Sequence, residues 1–389
     1  GRSGGDPRAP RATGLSVSSA VDRPLRIVQA AAFPFPSAQG SQVFVRGMAR
    51  ALARRGHEVS VVCYGHGEGE VDDDYRIIRT PRVPGYGNLR AGPDMVKPVL
   101  DLALAYRIAE IPADVVHAHN YEAPIAAAMA RRFTGTPIVY NAHNTMVEEL
   151  PTYFERPTAR RAARRMGGWL DRTVPKIADH AVVLSSRAVP TLTRLGCGEV
   201  SVVPPGVDAA ELGDVEPAQL PEGPWVVYAG NPDRYQDLSI LVEAIRKLDG
   251  VGLLMVSASP LDDWSSAGLP KFKAVQTSDF AEVKSLMAAC DLAAIPRTVC
   301  SGFPIKLLNS LGVGLPTVIA EGSAQGLPGE VVVPNGDSEA MAQAIQSLLN
   351  APQRSRELGE SARAHVRDAC TWEARARDLE RIYASLLSR

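Results

Sequence analysis

A chain of 389 residues, 45% hydrophobic and 22% charged, can bury more than one core and has the balance of a soluble globular protein. Its formal net charge of −1 excludes nucleic-acid binding by bulk positive charge. No apolar run reaches the roughly 18 residues of a membrane-spanning helix, and Cys63, Cys197, Cys290, Cys300 and Cys370 lie scattered without metal-type pairing, which fits a reduced, cytosolic setting.

Residues 1–23 are rich in Gly, Pro, Ser and Arg and lack an apolar h-region, so they read as a disordered leader. Leu25–Ala31 follows as a buried strand, Val43–Arg55 as a helix and Glu58–Tyr64 as a second strand. Such a βαβ unit implies a parallel sheet with ligands at the carboxyl ends of its strands. Its turn holds Gly40 but no GxGxxG, which weakens a dinucleotide reading. Asp114–His119, Pro137–Ala142, Asp179–Leu184 and Val200–Val203 continue as strands, with Tyr121–Phe133 as a helix. This first domain is expected over 24–207. The Pro-rich, acidic stretch 208–224 reads as a linker. Trp225–Ala229 restarts the alternation, and Val251–Ser257, Lys273–Gln276, Asp291–Ile295, Pro316–Ala320 and Glu330–Val333 supply further strands. Leu238–Leu248 and Ser338–Asn350 are helices of this second domain, expected over 225–370. The last segment, 371–389, is a helix with Trp372, Ala376, Leu379, Ile382 and Leu386 on one side. Two halves of βα design make an α/β chain of two facing Rossmann-like domains.

The stretch Ile295–Ile319 (IPRTVCSGFPIKLLNSLGVGLPTVI) reads as strand, loop, helix, turn, strand. Pro304 suits the first helical position, where a missing N–H costs nothing. Ile305, Leu308 and Leu311 sit at helical spacing and form one buried face. Gly312 and Gly314 offer left-handed caps, and Pro316 blocks continuation. The helix N-terminus then points out of a sheet edge at Arg297 and Lys306. Free N–H groups, a dipole end and two cations make a phosphate site. On this local pattern an ordinary α/β turn with two solvated cations remains the alternative.

These residues resemble the donor-sugar site of the retaining family 4 glycosyltransferases, which have the GT-B fold, and the resemblance runs from about Leu25 to the end. That family usually carries a Glu, seven residues and a second Glu. The matching positions here are Ser301 and Asn309, closer to a branch that reads roughly PR…GxPxKLLNxxxxGxP. The resemblance implies a metal-independent enzyme without a cofactor. It would move a sugar from a nucleotide-diphosphate sugar, a UDP-sugar favoured, to a hydroxyl of a glycan, lipid-linked or small-molecule acceptor. Donor contacts are then expected at Gly40, Gly230, Asn231, Arg234, Arg297, Ser301, Gly302, Phe303, Pro304, Ile305, Lys306 and Asn309. Gln39, Ser41, His143 and Asn144 fall on the acceptor side. Catalytic roles fall to His119, which would hydrogen-bond the transferred sugar, and to Arg234 and Lys306. The usual Lys–Gly step is replaced by Gln236–Asp237, so the diphosphate clamp is expected from Arg234, Arg297 and Lys306. Fixed cations there stabilise the departing diphosphate more than the ground state. The resemblance also implies that the last helix crosses back to the first domain.

Alternation puts His117 and His119 on one face of their strand. A metal pair lacks a third ligand at suitable spacing, and His117 reads as a structural histidine. Glu148 and Glu149 follow His143 and either act on the acceptor or are solvated. Asp72–Asp74 and Asp262–Asp263 read as solvated acid runs, not metal sites. Arg160, Arg161, Arg164 and Arg165, with Trp169, form either a solvated helix face or a patch for an inner-membrane surface or an anionic acceptor. Two rivals stay open at this stage: a nucleotide-sugar epimerase or hydrolase on the same fold, and a non-catalytic nucleotide-sugar-binding protein or partner subunit. The lost carboxylates at Ser301 and Asn309 keep the second alive.

Overall fold

The computed structural model describes residues 23–36, 40–65, 67, 74–82, 96–197, 200–213, 215–264 and 268–388. The expected leader except Arg23, the acceptor-side Gln39, Asp72 and Asp73 lie outside them.

The first half contains β1 (Arg26–Pro34), α1 (Gly40–Arg54), β2 (Glu58–Tyr64), β3 (Arg76–Arg79), α2 (Lys97–Ala109) and β4 (Val115–His119). It continues through α3 (Glu122–Thr134), β5 (Ile138–Ala142), α4 (Met146–Glu149), α5 (Pro157–Thr173), β6 (His180–Val183), α6 (Val189–Arg194) and β7 (Val200–Val202). Its seven strands are parallel in the order β3-β2-β1-β4-β5-β6-β7. The second half contains β8 (Trp225–Ala229), α7 (Leu238–Arg246), β9 (Gly252–Ser257), β10 (Phe272–Gln276), α8 (Phe280–Ala288) and β11 (Leu292–Ile295). Then come α9 (Ile305–Val313), β12 (Thr317–Ala320), β13 (Glu330–Val333), α10 (Ser338–Leu349), α11 (Pro352–Ala369) and α12 (Trp372–Leu387). Six parallel strands run in the order β10-β9-β8-β11-β12-β13. Central strands such as RIVQAAAFP are buried along nearly their whole length, as a sheet covered by helices on both faces requires. The fold is thus two Rossmann-like α/β domains, as the βα alternation implies.

The helix α12 returns to the first domain. Trp372, Leu379, Ile382, Tyr383 and Leu386 join the core built by β1, α1 and β2. Gly47 of α1 makes the approach possible, because a Cβ there would stand 2.1 Å from Trp372 Cε2. Glu380 receives Arg55 Nε at 2.5 Å and lies 3.0 Å from His57 Nε2, so an ion pair pins the same interface. The stretch expected as a linker, 208–224, is docked on the second domain. Leu212 is buried among Leu307, Leu308, Leu311 and Val366, and Ala218 N donates to Ser285 O at 2.9 Å.

The helix start within Ile295–Ile319 is shifted by one residue. Pro304 is the N-cap of α9 (φ −76°, ψ 97°) and not its first helical residue. The buried face therefore comprises Leu307, Leu308 and Leu311, while Ile305 is only partly buried and turns to the cleft. Gly314 (φ 97°) is the left-handed cap. Gly312 stays helical, and its bare Cα leaves room for Leu212, whose Cδ1 would lie 2.7 Å from a Cβ.

Candidate active site

A cleft of about 2110 Å³ opens between the carboxyl ends of the two sheets. Loops after β1, β4 and β5 form one wall, and loops after β8, β9, β10 and β11 form the other. Among the described residues, the two non-glycine positions with left-handed backbone, Asn120 (φ 61°) and Asp237 (φ 55°), both line it. Local strain of this kind concentrates at functional sites.

Lys306 sits in the first turn of α9. Its Nζ donates to Tyr228 Oη at 2.6 Å and to Gln236 Oε1 at 2.8 Å, and it lies 4.3 Å from the Tyr228 ring centroid. Both partners are neutral, so the cation carries an unbalanced charge into the cleft. Burial, with Arg297 nearby, lowers the ammonium to about 7. Gly230 permits this packing: at φ 152° it would place a Cβ 2.7 Å from Lys306 Nζ. Arg297 stacks on Tyr235 at 4.8 Å and donates Nε to Val299 O at 2.7 Å. Asp237 holds the loop between them, accepting from Thr298 N at 2.9 Å and Thr298 Oγ1 at 2.6 Å. The free N–H groups of α9, Lys306 and Arg297 thus converge on one wall, a geometry suited to phosphate oxygens.

The other expected donor residues divide. Asn231, Phe303, Pro304, Ile305 and Asn309 line the cleft. Asn309 is half-buried, and among the described residues its side-chain amide makes no hydrogen bond. Arg234 is 91% exposed and reaches across to Glu155 at 3.3 Å, a solvated pair that adds little rigidity. Ser301 lines the cleft, yet its Oγ accepts Thr145 N from the first domain at 2.9 Å. Gly302 is not a lining residue. It abuts the opposite loop so closely that a Cβ would stand 2.3 Å from His143 O and 2.4 Å from Asn144 Oδ1. Donor-side and acceptor-side loops are therefore in contact, and Arg187 Nε to Ala324 O at 2.7 Å and Ser185 Oγ to Gln325 Oε1 at 2.8 Å join the domains nearby.

On the first-domain wall, Gly40 opens α1, and Gly40, Ser41, His143 and Asn144 line the cleft. His119 does not. Expected beside the transferred sugar, it is fully buried behind His143 with both ring nitrogens engaged. Its Nδ1 lies 3.0 Å from His143 Nε2 and its Nε2 2.5 Å from Gln29 Oε1. His117 stacks beneath it at 4.7 Å and meets Tyr383 Oη of α12 at 2.6 Å. Burial holds all three imidazoles neutral: it lowers His117 and His143 to about 3, and His119 well below its usual value. Asp171 of α5 fixes the same loop by accepting Met146 N and Val147 N, each at 2.8 Å.

Among the described residues, no three His, Cys, Asp or Glu side chains gather as metal ligands do. Asp74 is taken by Arg54 at 3.4 Å. Sequence reasoning missed Tyr228, Tyr235, Asp237, Gln29 and Asn141, which act through other side chains. Gln29 and Asn141 alone carried a signal, each a polar residue inside an apolar strand.

The model of Glycosyltransferase Family 4 matches residues 38–211, and that of Glycosyl transferases group 1 matches 223–351, so together they span most of the chain. Phosphatidyl-myo-inositol mannosyltransferase of Mycolicibacterium smegmatis is 25% identical over 396 residues, covering 93% of this chain and 94% of its own. Sucrose-phosphate synthase from Thermosynechococcus elongatus has the same fold at a TM-score of 0.80, with 19% identity over 93% of this chain and 99% of its own. So does HepE of Anabaena, solved in complex with UDP and glucose, at 0.68, with 16% identity over 94% and 99%. No helix among the described residues is long and apolar enough to cross a membrane. With two such domains, this cleft and these matches, the chain belongs to the family 4 glycosyltransferases, and its activity is transfer of a sugar from a nucleotide sugar to an acceptor.

Proposed function

We propose that transfer proceeds with retention at the anomeric carbon, from a UDP-sugar, without metal or other cofactor, and that the chain belongs to the branch with Ser and Asn in place of the two glutamates. One observation carries this reading: Lys306, enclosed at the N-terminus of α9 with only neutral partners, awaits an anion. The diphosphate of the donor supplies it, and its charge grows as the glycosidic bond breaks. Lys306, Arg297 and the N–H groups of α9 then stabilise the leaving group most strongly in the transition state. Retention follows if the departing phosphate assists the incoming hydroxyl on the same face, since no carboxylate stands at Ser301 or Asn309. Asn309, with its amide unengaged, is placed to donate to and accept from the ribose hydroxyls. Arg234, exposed on the surface, closes on the phosphates once Glu155 releases it. His143 takes the place expected of His119 at the sugar and acceptor.

A cytoplasmic enzyme that touches the inner membrane face belongs to the same reading. Arg160, Arg161, Arg164 and Arg165 are exposed on α5, beside Met166 at 53% and Trp169 at 55% exposure, and this pairing of cations with apolar groups supports contact with anionic lipid.

The test is product analysis from a panel of UDP-, GDP-, ADP- and TDP-sugars, reading the new anomeric configuration by NMR. A product with the donor's configuration, made best from a UDP-sugar, is expected. Lys306→Ala and Arg297→Ala should each lower kcat/KM on the order of 10²–10³. An inverted product, or wild-type rates in both variants, would overturn the reading.

A further inference from the structure

Gln29 is the one polar residue inside an otherwise apolar run of β1, and it is fully buried. Its register partner across the sheet is His117, one step before His119 on the cleft side. The side chain reaches His119, placing Oε1 2.5 Å from Nε2. A carbonyl oxygen only accepts, so Nε2 of His119 carries the proton. The neutral ring then has its lone pair at Nδ1. Two groups approach that lone pair: His143 Nε2 at 3.0 Å and Asn141 Nδ2 at 3.4 Å. An amide nitrogen only donates, so Asn141 requires the same tautomer as Gln29 does. Asn141 Nδ2 also stands 3.5 Å from His143 Nε2, but the 3.0 Å contact between the rings is the shorter and cannot join two lone pairs, so His143 donates Nε2–H to His119 and keeps its own lone pair at Nδ1.

We propose that Gln29 is a positioning residue of the transfer reaction, setting through His119 which nitrogen of His143 bears the proton at the wall of the cleft. The inference rests on the reading of His143 as the histidine of the sugar and acceptor side. A hydroxyl approaching His143 meets a ring whose orientation and proton are both decided three side chains deep. The other groups facing His119 do not compete for this control. His117, from the same strand, stacks on its face, and Phe44 of α1 meets it edge-on at 5.9 Å. Tyr383 of α12 meets His117 and stands within hydrogen-bonding reach of the Gln29 amide, not of His119, with Glu380 further off on the same helix.

The experiment compares Gln29→Met, Gln29→Glu and His143→Ala in steady-state kinetics from pH 5.5 to 8.5, with nucleotide affinity measured alongside. Gln29→Met removes the acceptor and should lower kcat about tenfold or more at every pH. Nucleotide affinity should hold, because the nucleotide sits on the other domain. Gln29→Glu puts a carboxylate against Nε2, which favours the imidazolium and turns Nδ1 into a donor facing the Nε2–H of His143. Its kcat should fall at low pH through an ionisation that the wild type lacks, and recover as pH rises. Wild-type kcat in a folded Gln29→Met, or a wild-type pH profile in Gln29→Glu, overturns the proposal while leaving His143 in place. Full activity of His143→Ala removes the reading on which it rests. Should the Gln29 variants fail to fold, 15N-histidine NMR of the wild type decides: His143 protonated at Nε2 supports the proposal, and protonation at Nδ1 overturns it.

Discussion

Lys306 holds a charge that the protein leaves without a counter-ion, and that sets a pH dependence. Its folded value of about 7 lies below the 10.5 of an unfolded lysine. Between those values the unfolded chain binds the proton and the folded chain does not, so stability from this group rises with pH across that window. Nucleotide binding runs the other way. A diphosphate favours the ammonium, so binding above pH 7 takes up a proton, and affinity should fall about tenfold per unit well above 7. Calorimetry at pH 6, 7.5 and 9 in two buffers of different ionisation enthalpy measures that uptake directly. Lys306→Met should abolish it, and uptake in that variant would assign the proton elsewhere. The lysine was legible in the sequence because PIKLLN places it in the first turn of a helix that follows a strand. The roles of the histidines were not. Alternation put His117 and His119 on one face, but only the packing of α1 and α12 shows that this face is covered and that His143 reaches the cleft.

The elements that frame the site were largely readable. Strands β2, β8 and β13 match their expected bounds, since apolar runs between turn residues mark them clearly. Helix α11 was not foreseen. Only Gly359, Ala362 and Val366 of its eighteen residues are buried, too thin a stripe to give a helical period. The short strand β3 is partly exposed along most of its length and lacks an alternating pattern. Contact between the loop before α9 and the loop after β5 was equally invisible, because Gly302 reads as a turn residue until its neighbours are known. Gly302→Ala brings a methyl against His143 O and Asn144 Oδ1, backbone and a short side chain that have little room to yield. The two loops must part. We expect kcat to drop about tenfold or more while nucleotide affinity stays within about twofold. Small-angle scattering should show a wider molecule. Unchanged turnover would mean that the loops need not meet for transfer.

At the scale of the molecule, the last sixteen-residue helix belongs to the first domain although the chain reaches it through the second. Five large side chains of α12 are buried there, each worth about 1.5–3 kcal/mol. Their sum rivals the roughly 5–15 kcal/mol total stability of an ordinary domain. Deleting 371–389 should leave the first domain unfolded or insoluble while the second keeps its secondary structure. Circular dichroism and limited proteolysis would show one surviving half, and a first domain that melts normally without α12 would contradict this. The two-domain layout was plain in the sequence, since it follows from βα alternation on either side of an acidic, Pro-rich stretch. The docking of that stretch was hidden, because its apolar residues are few and only Leu212 meets a deep core.

Where the chain passes between the domains it does so twice, and the two passes touch. Val207 N donates to Cys370 O at 2.9 Å, and Trp372 N to Val207 O at 3.2 Å. Gly206 lets them meet, since a Cβ there would lie 2.5 Å from Trp372 N. The two crossings are thus tied to each other at one place, so any relative movement of the halves has to turn about it. Fewer orientations of the halves are then open before substrate binds, and less entropy need be lost when substrate fixes one of them.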